Sequence, residues 1–171
     1  MKILLDIDGV TTEYNFPKLV KNFFGVDISK YQIYAYDLAD VLGVSPMMIN
    51  NMFKEQVYGK PTFTEGALET LNEWYGKNEI IIYSNRTKYM KDIELVQWLI
   101  GSGIPFNGIS IEGKDNCNYC IDDSPAKLMN TICKRKLLFT QPWNKRCMDI
   151  THSLERVNSW REIREIVGGD V

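Results

Sequence analysis

Lys2-Ile3-Leu4-Leu5-Asp6-Ile7-Asp8-Gly9-Val10 opens the chain, and the rest of it is organised around these residues. Residues 2–5 form an apolar run that reads as a buried strand, and the run stops at once on Asp-x-Asp-Gly. A carboxylate at the end of a buried strand is costly unless it is paired or bound to a cation. Residues two apart on an extended strand point the same way, so Asp6 and Asp8 repel each other unless positive charge stands beside or between them. A hard divalent cation meets that need, and Mg²⁺ takes one or two carboxylates together with phosphate oxygens and water. Gly9 permits a backbone turn closed to other residues. Taken alone, the stretch also fits two solvated acids in a turn, so the decision rests on what the remaining chain brings to it.

The chain has 171 residues, enough for one domain with a real core and a small insertion. Lys plus Arg number 20 and Asp plus Glu 22, a net charge of −2. That balance gives no reason to expect long nucleic acid as a partner, and it leaves room for a small anion at one local site. No stretch approaches the run of about 20 apolar residues needed to cross a bilayer, so no membrane partner is expected. The first residues carry one lysine and then acids, unlike a secretion signal, and the sequence reads as cytoplasmic. The four cysteines then read as reduced thiols. Cys117-x-x-Cys120 has zinc-knuckle spacing, and Cys133 and Cys147 could complete a four-thiolate site. The competing reading is ordinary packing, with Cys120 in a strand and Cys133 on the apolar face of a helix with Leu128, Met129 and Ile132.

After the first motif the chain changes character. Residues 14–61 hold short helical patterns and many aromatics. Phe16, Leu19, Val20, Phe23 and Phe24 repeat at three and four and stop at Gly25. Tyr34, Leu38, Val41 and Leu42 give a second short helix ending at Gly43. Ser45 and Pro46 open a third. Beyond Pro61 the pattern becomes regular. A helix around Ala67, Leu71 and Trp74, with Thr64 as its N-cap, leads to the β-branched strand Ile80-Ile81-Ile82-Tyr83. A helix over 90–99, a short strand near Ile109, a strand at Tyr119-Cys120-Ile121, a helix over 126–133, a last strand at 136–139 and a helix from Trp160 capped by Ser159 follow.

Alternating strands and helices argue for an α/β fold with a doubly wound parallel sheet, interrupted after its first strand by a small helical cap. In such sheets ligands sit outside the carboxyl ends of the strands. Asp6/Asp8, Ser84/Asn85/Arg86, Lys114 and Asp122/Asp123 all lie at or just beyond predicted strand ends. Brought together, these groups suit phosphate and Mg²⁺. The acids hold the metal, while Lys114 and Ser84 take phosphate oxygens. A shielded carboxylate can attack phosphorus, and a second one can move the proton.

At this point the sequence resembles the haloacid dehalogenase (HAD) superfamily of phosphohydrolases. The resemblance is carried by Asp6-x-Asp8-Gly9-Val10-Thr11, by Ser84 after a hydrophobic strand, by Lys114 and by Asp122-Asp123, in that order. It implies a Rossmann-like core over 1–13 and 62–171 with a cap over 14–61. It implies Asp6 as nucleophile, Asp8 as general acid/base, and Mg²⁺ held by Asp6, the Asp8 backbone carbonyl and Asp122, with Asp123 in support. Ser84, its neighbour Asn85 and Lys114 would bind phosphate. Lys127 is a rival to Lys114, although the family's basic residue precedes the acidic pair. Within the superfamily the chain is most similar to the 5'(3')-deoxyribonucleotidases. The features are the helical insertion, Ile121-Asp122-Asp123-Ser124-Pro125, the stretch from Leu138 to Asn144, and Val157-Asn158-Ser159-Trp160.

That resemblance implies a small phosphorylated substrate, a nucleotide, and is compatible with a homodimer. Substrate choice would live in the cap, where Tyr14, Phe16 and Tyr34 are candidates to stack on a base. Arg86 departs from the pattern; clamping a second anionic group and pairing with a surface acid are both open to it. His152 stands outside the constellation. The alternatives are a HAD phosphatase of sugar phosphates or nucleic-acid ends, a receiver-like signalling module, and a catalytically inactive ligand-binding relative.

Overall fold

Alternate strand residues go to opposite faces of one sheet, and different helices receive them. The computed structural model describes residues 1–13, 15–29, 32–33, 38–114, 116–146 and 153–169. In chain order the elements are β1 (Lys2–Leu5), α1 (Phe16–Phe24), α2 (Leu38–Leu42), α3 (Pro46–Gln56), α4 (Ala67–Trp74), β2 (Glu79–Ile82), α5 (Asp92–Ser102), β3 (Gly108–Ile109), β4 (Cys117–Asp122), α6 (Pro125–Asn130), β5 (Cys133–Phe139), β6 (Glu155–Val157) and α7 (Trp160–Gly168). Ile3, Leu5, Ile80, Ile82, Tyr119 and Ile121 face α4, α5 and α7, through Leu71, Leu95, Leu99, Trp160 and Ile163. Leu4, Ile81, Cys120 and Leu138 face the other way, against Leu128 of α6. Strands apolar on both faces are what a helix-covered parallel sheet requires.

The six strands run in the order β3-β2-β1-β4-β5-β6, and each neighbouring pair is parallel. β1 lies in the middle. Leu5 is level with Ile82 on one side and Ile121 on the other, so Asp6 leaves the sheet between Tyr83 and Asp122. This register alone brings residues from three distant parts of the chain to one rim.

Between β1 and α4, the helices α1–α3 close around Val20, Ile33, Leu38, Ala39, Ile49 and Met52, with Phe16, Phe23, Phe24 and Phe53 packed on them. Asn15 caps α1, accepting from the Lys18 amide at 3.2 Å, and Gly25 ends the helix at φ 71°. The two hydrophobic clusters interlock. Trp143, from the β5–β6 connection, is buried in the insertion's cluster, while Val57, the residue on which α3 ends, is buried in the main core.

Three local expectations differ from the structure. Thr64 does not cap α4: Gly66 holds that position at φ 77°, and the Thr64 carbonyl, not its hydroxyl, receives the Ala67 amide at 3.0 Å. The helix after Asp123 ends at Asn130, because Thr131 turns extended at ψ 152°, and Cys133 opens β5 opposite Cys117 rather than lying on a helix face. β6, three residues long, adds an edge strand that the pattern did not announce.

Candidate active site

The loop after β1 is fixed by its own backbone. The amides of Thr11 and Thr12 each donate to the Ile7 carbonyl at 2.8 Å, and the Gly9 amide donates to the Thr12 carbonyl at 2.8 Å. Gly9 sits at φ 83°, and a Cβ there would collide with Asp123 Oδ2 and press on Trp143. The glycine of the first motif therefore makes room for the second acidic pair as well as for the turn. Asp6 Oδ1 accepts from the Ile7 amide at 2.8 Å, which leaves Oδ2 directed elsewhere.

Elsewhere means toward Asp122 and Asp123. One carboxylate oxygen from each of Asp6, Asp122 and Asp123 lies within 4.8 Å of the others, and all three residues are buried. Lys127, the third residue of α6, neutralises part of this charge. Its Nζ stands 3.0 Å from Asp6 Oδ2 and 2.7 Å from Asp122 Oδ2, donates to the Tyr83 carbonyl at 3.2 Å, and lies 4.7 Å above the Tyr83 ring. Burial pushes the Asp122 carboxyl up to about 8; the charge of Asp6 adds to this and Lys127 opposes it. Burial likewise raises Asp6, against the pull of Lys127, and raises Asp123 further, with Asp122 and Asp6 adding to it. Burial draws the Lys127 ammonium down, but Asp6 and Asp122 more than reverse this and keep it charged.

These residues fit a hard cation. Asp122 Oδ2 is buried, and its one partner among the described residues is the Lys127 ammonium at 2.7 Å. An acid so placed, with two more acidic oxygens beside it, is an oxygen donor set of the kind that Mg²⁺ prefers. The Asp8 carboxylate is not part of this group. It turns to Arg86, whose Nε and Nη2 donate to its two oxygens, each at 2.8 Å, and it also accepts from Thr12 Oγ1 at 3.3 Å.

A cavity of about 400 Å³ opens above the acids. Asp6, Asp8, Asp123, Ser84, Asn85 and Arg86 form its polar end; Phe16, Ile33, Leu38, Ile49, Phe53 and Trp143 form its apolar walls. Phe16 meets Trp143 edge-on at 4.9 Å and Phe53 edge-on at 6.1 Å. Asn50 and Tyr89 line one side, with the Tyr89 hydroxyl donating to Asn50 Oδ1 at 3.0 Å.

Of the residues singled out in the sequence, the fold gathers Asp6, Asp8, Asp122, Asp123, Ser84, Asn85, Arg86 and Phe16. It does not gather Lys114, which is exposed and paired with Glu112 at 2.9 Å on the loop after β3; Lys127 meets the acids instead. The signal for Lys127 was electrostatic: a lysine in the first turn of a helix opposes the helix dipole, and an acidic partner offsets that. Tyr14 and Tyr34 lie outside the described residues, as do Cys147 and His152. Cys117, Cys120 and Cys133 are not joined in disulfides, and among the described residues no cysteine belongs to a cluster able to hold a metal.

Sequence reasoning missed the brace behind Asp123. Trp143 Nε1 donates to Asp123 Oδ2 at 2.8 Å. Asn144 Nδ2 donates to the carbonyls of Asp123 and Phe139 at 2.8 and 2.7 Å, and Arg156 Nη1 donates to Asn144 Oδ1 at 3.0 Å. Gln141 Nε2 reaches the Gly9 carbonyl at 2.7 Å. The stretch 141–144, read only as a mark of subgroup, thus buttresses both acidic motifs.

Among solved structures the chain is similar to the HAD-type hydrolase YfnB of Bacillus subtilis, solved with magnesium (11% identity, TM-score 0.52, covering 98% of each chain). It is also similar to a subfamily IA HAD hydrolase of Geobacter sulfurreducens (13%, 0.53, 96% of this chain and 98% of that one). A protein of Thermotoga maritima described as a β-phosphoglucomutase gives 10%, 0.55 and 99% of each chain. These likenesses concern the fold. No match was found among curated proteins. The sequence profile that does match, over residues 1–169, is that of the family described as "5' nucleotidase, deoxy (Pyrimidine), cytosolic type C protein". With the profile spanning both acidic motifs, the insertion and the Trp143 brace, the chain belongs to this family of HAD-type phosphatases.

Proposed function

We propose that the chain is a Mg²⁺-dependent 5'(3')-deoxyribonucleotidase that frees phosphate from deoxyribonucleoside monophosphates, with Asp6 as nucleophile and Asp8 as general acid/base. The observation that carries the reading is one cavity lined by Asp6, Asp8 and Asp123 at one end, with Lys127 paired to Asp6 behind them, and by Phe16, Phe53 and Trp143 along its walls. A phosphate needs the first feature and a nucleobase suits the second. The family supports the nucleotide class.

Mg²⁺ would be held by Asp6, Asp122 and the Asp8 backbone carbonyl, with Asp123 behind them; bound there, it supplies positive charge to the phosphate oxygens and shields the nucleophile. An Asp6 oxygen forms a bond to phosphorus as the ester P–O bond breaks, and the proton of Asp8 goes to the departing 5' (or 3') oxygen. Water then attacks the aspartyl phosphate, Asp8 takes its proton, and Asp6 is regenerated as free phosphate leaves. Lys127 replaces Lys114 in this reading as the lysine that meets the transferring phosphate, with Ser84 and Asn85 at the side. Residues 14–61 act as the cap that excludes water, with Phe16, Tyr14 and Tyr34 still the stacking candidates within it. The family's description as cytosolic supports a cytoplasmic enzyme, and no helix among the described residues is long and apolar enough to cross a membrane.

A substrate panel tests the reading. dUMP and dTMP should be turned over with a kcat/KM at least about tenfold above p-nitrophenyl phosphate, and EDTA should abolish turnover until Mg²⁺ is restored. Equal kcat/KM for nucleotides and p-nitrophenyl phosphate would remove the nucleotidase assignment and leave a general phosphatase.

A further inference from the structure

Arg86 belongs to two parts of the fold at once. Its side chain is only 7% exposed. Nε and Nη2 grip both oxygens of Asp8, while Nη1 donates to the Val57 carbonyl at 2.6 Å. The guanidinium carbon lies 3.8 Å from the centroid of the Trp98 ring, and Trp98 Nε1 in turn donates to the Gly59 carbonyl at 2.9 Å. Val57 and Gly59 lie on the segment by which the helical insertion returns to the main sheet. Arg86 and α5 therefore hold that return segment from the core side. The Arg86 amide also donates to Ser84 Oγ at 3.3 Å, which sets the start of the 3₁₀ turn from which the side chain projects.

A guanidinium suits this task because its planar fork matches the two oxygens of a carboxylate, and a stacked aromatic fixes the plane of the fork. An unheld aspartate moves among staggered rotamers and presents its oxygens in several directions. A group that gives or takes a proton during bond cleavage works only from a narrow range of positions, and displacement by about 1 Å lowers rate by about 100-fold.

We propose that Arg86 is a positioning residue for the proton-transferring group of the reaction: it holds the Asp8 carboxylate in one orientation and ties that orientation to the seating of the insertion's C-terminal attachment at Val57–Gly59. The inference rests on the reading of Asp8 as general acid/base. It also answers the question that the sequence leaves open about Arg86. The partner is an acid of the site itself, and the third contact is the backbone of the insertion.

The consequence is selective. Cleavage of an alkyl ester such as a nucleoside 5'-phosphate puts a poor leaving oxygen on its own unless Asp8 delivers the proton. p-Nitrophenolate departs as a stable anion without it. Arg86→Ala should therefore lower kcat/KM, which reports phosphoryl transfer to Asp6, by about 100-fold for nucleoside monophosphates and by less than about fivefold for p-nitrophenyl phosphate, while kcat falls for both because Asp8 also takes the proton of the water that frees the common aspartyl phosphate. Added guanidinium ion should restore part of the lost rate on the nucleotide. Hydrogen exchange over 57–60 should quicken in the same variant. Arg86→Lys, whose single ammonium cannot hold both oxygens, should show the same signature at about tenfold and stands in if Arg86→Ala fails to fold.

Asp8→Asn is the control that separates this inference from the reading beneath it. If Asp8→Asn loses kcat/KM selectively on the nucleotide and the Arg86 variants lose kcat/KM equally on both substrates, or on neither, the positioning role is overturned. Unchanged exchange over 57–60 overturns the tie to the insertion. If Asp8→Asn itself lowers kcat/KM equally for both substrates, the assignment of Asp8 as the acid of the first step falls and this inference falls with it.

Discussion

Asp6 and Asp8 leave the same strand two residues apart, yet they end in two different electrostatic regions of one cleft. Asp6 turns inward to Asp122, Asp123 and the Lys127 ammonium, a region with more acid than base. Asp8 turns outward to Arg86, a one-to-one fork of planar groups sealed by Trp98 and a backbone carbonyl of the insertion. An ammonium is a compact charge that several oxygens can share, and a cation can join it or displace it; a guanidinium commits two oxygens to fixed directions. The first region is thus suited to binding a metal and a phosphate. The second is suited to holding one group still. The two acids of a single motif become chemically distinct through their cations, and substitutions in the two regions should have different signatures.

The largest effect belongs to the inner region. Asp6→Asn should reduce turnover of every phosphomonoester by about 10⁴-fold or more, because an amide cannot take over from the proposed nucleophile. Its circular dichroism and cooperative melting should stay those of the folded protein, since the amide retains the shape and relieves repulsion among three buried acids. Retained turnover in that variant would mean that the inner region holds no nucleophile at Asp6.

Lys127 sharpens it. Lys127→Met should lower kcat/KM by about 100-fold and destabilise the protein by about 3 kcal/mol, because two buried carboxylates lose their common cation. Lys114→Ala should change activity less than about twofold, as expected of a surface lysine whose partner is an exposed glutamate. The opposite ranking of the two lysines would return the phosphate-binding role to the loop after β3. Chemical denaturation of both variants, with and without Mg²⁺, checks the stability half of the statement.

The sheet and its rim were legible in the sequence because one physical demand fixes them. Ile3–Leu5, Ile80–Ile82 and Tyr119–Ile121 are apolar on both faces, so each must be an interior strand, and the acids that end them must meet. Lys127 was not settled because linear order argued for a lysine before the acidic pair, whereas proximity is decided by α6, which turns its first-turn residues back over the strand ends. The roles of Trp143 and Asn144 were hidden for a related reason. A tryptophan and an asparagine after a strand look like turn and core, and only the β4–β5 pairing brings them under Asp123. Thr64 shows the limit of capping rules: a threonine before a helix caps only if the chain enters the helix directly, and here Glu65-Gly66 intervenes.

The smallest effect concerns protons, and it separates the regions by pH. In the unfolded chain Asp122 titrates near 3.8, and in the metal-free fold near 8, because burial and then the charge of Asp6 disfavour its ionised form. The folded state therefore binds more protons than the unfolded state throughout that window, so the metal-free protein should lose stability as the pH rises from about 4 to about 8. A cation binds the ionised form, so its effect has the opposite sign: apparent Mg²⁺ affinity should climb with pH by up to about tenfold per unit and level off above about 8. Thermal melts in EDTA and in Mg²⁺ at several pH values read both halves. The Mg²⁺-induced rise in Tm should be larger at pH 8.5 than at pH 6, and Asp122→Asn should flatten the difference. A rise in Tm that is the same at both pH values would mean that the acids of the inner region are already ionised without a metal. The contrast between a region waiting for a cation and one that has its own would then have to be drawn by geometry alone.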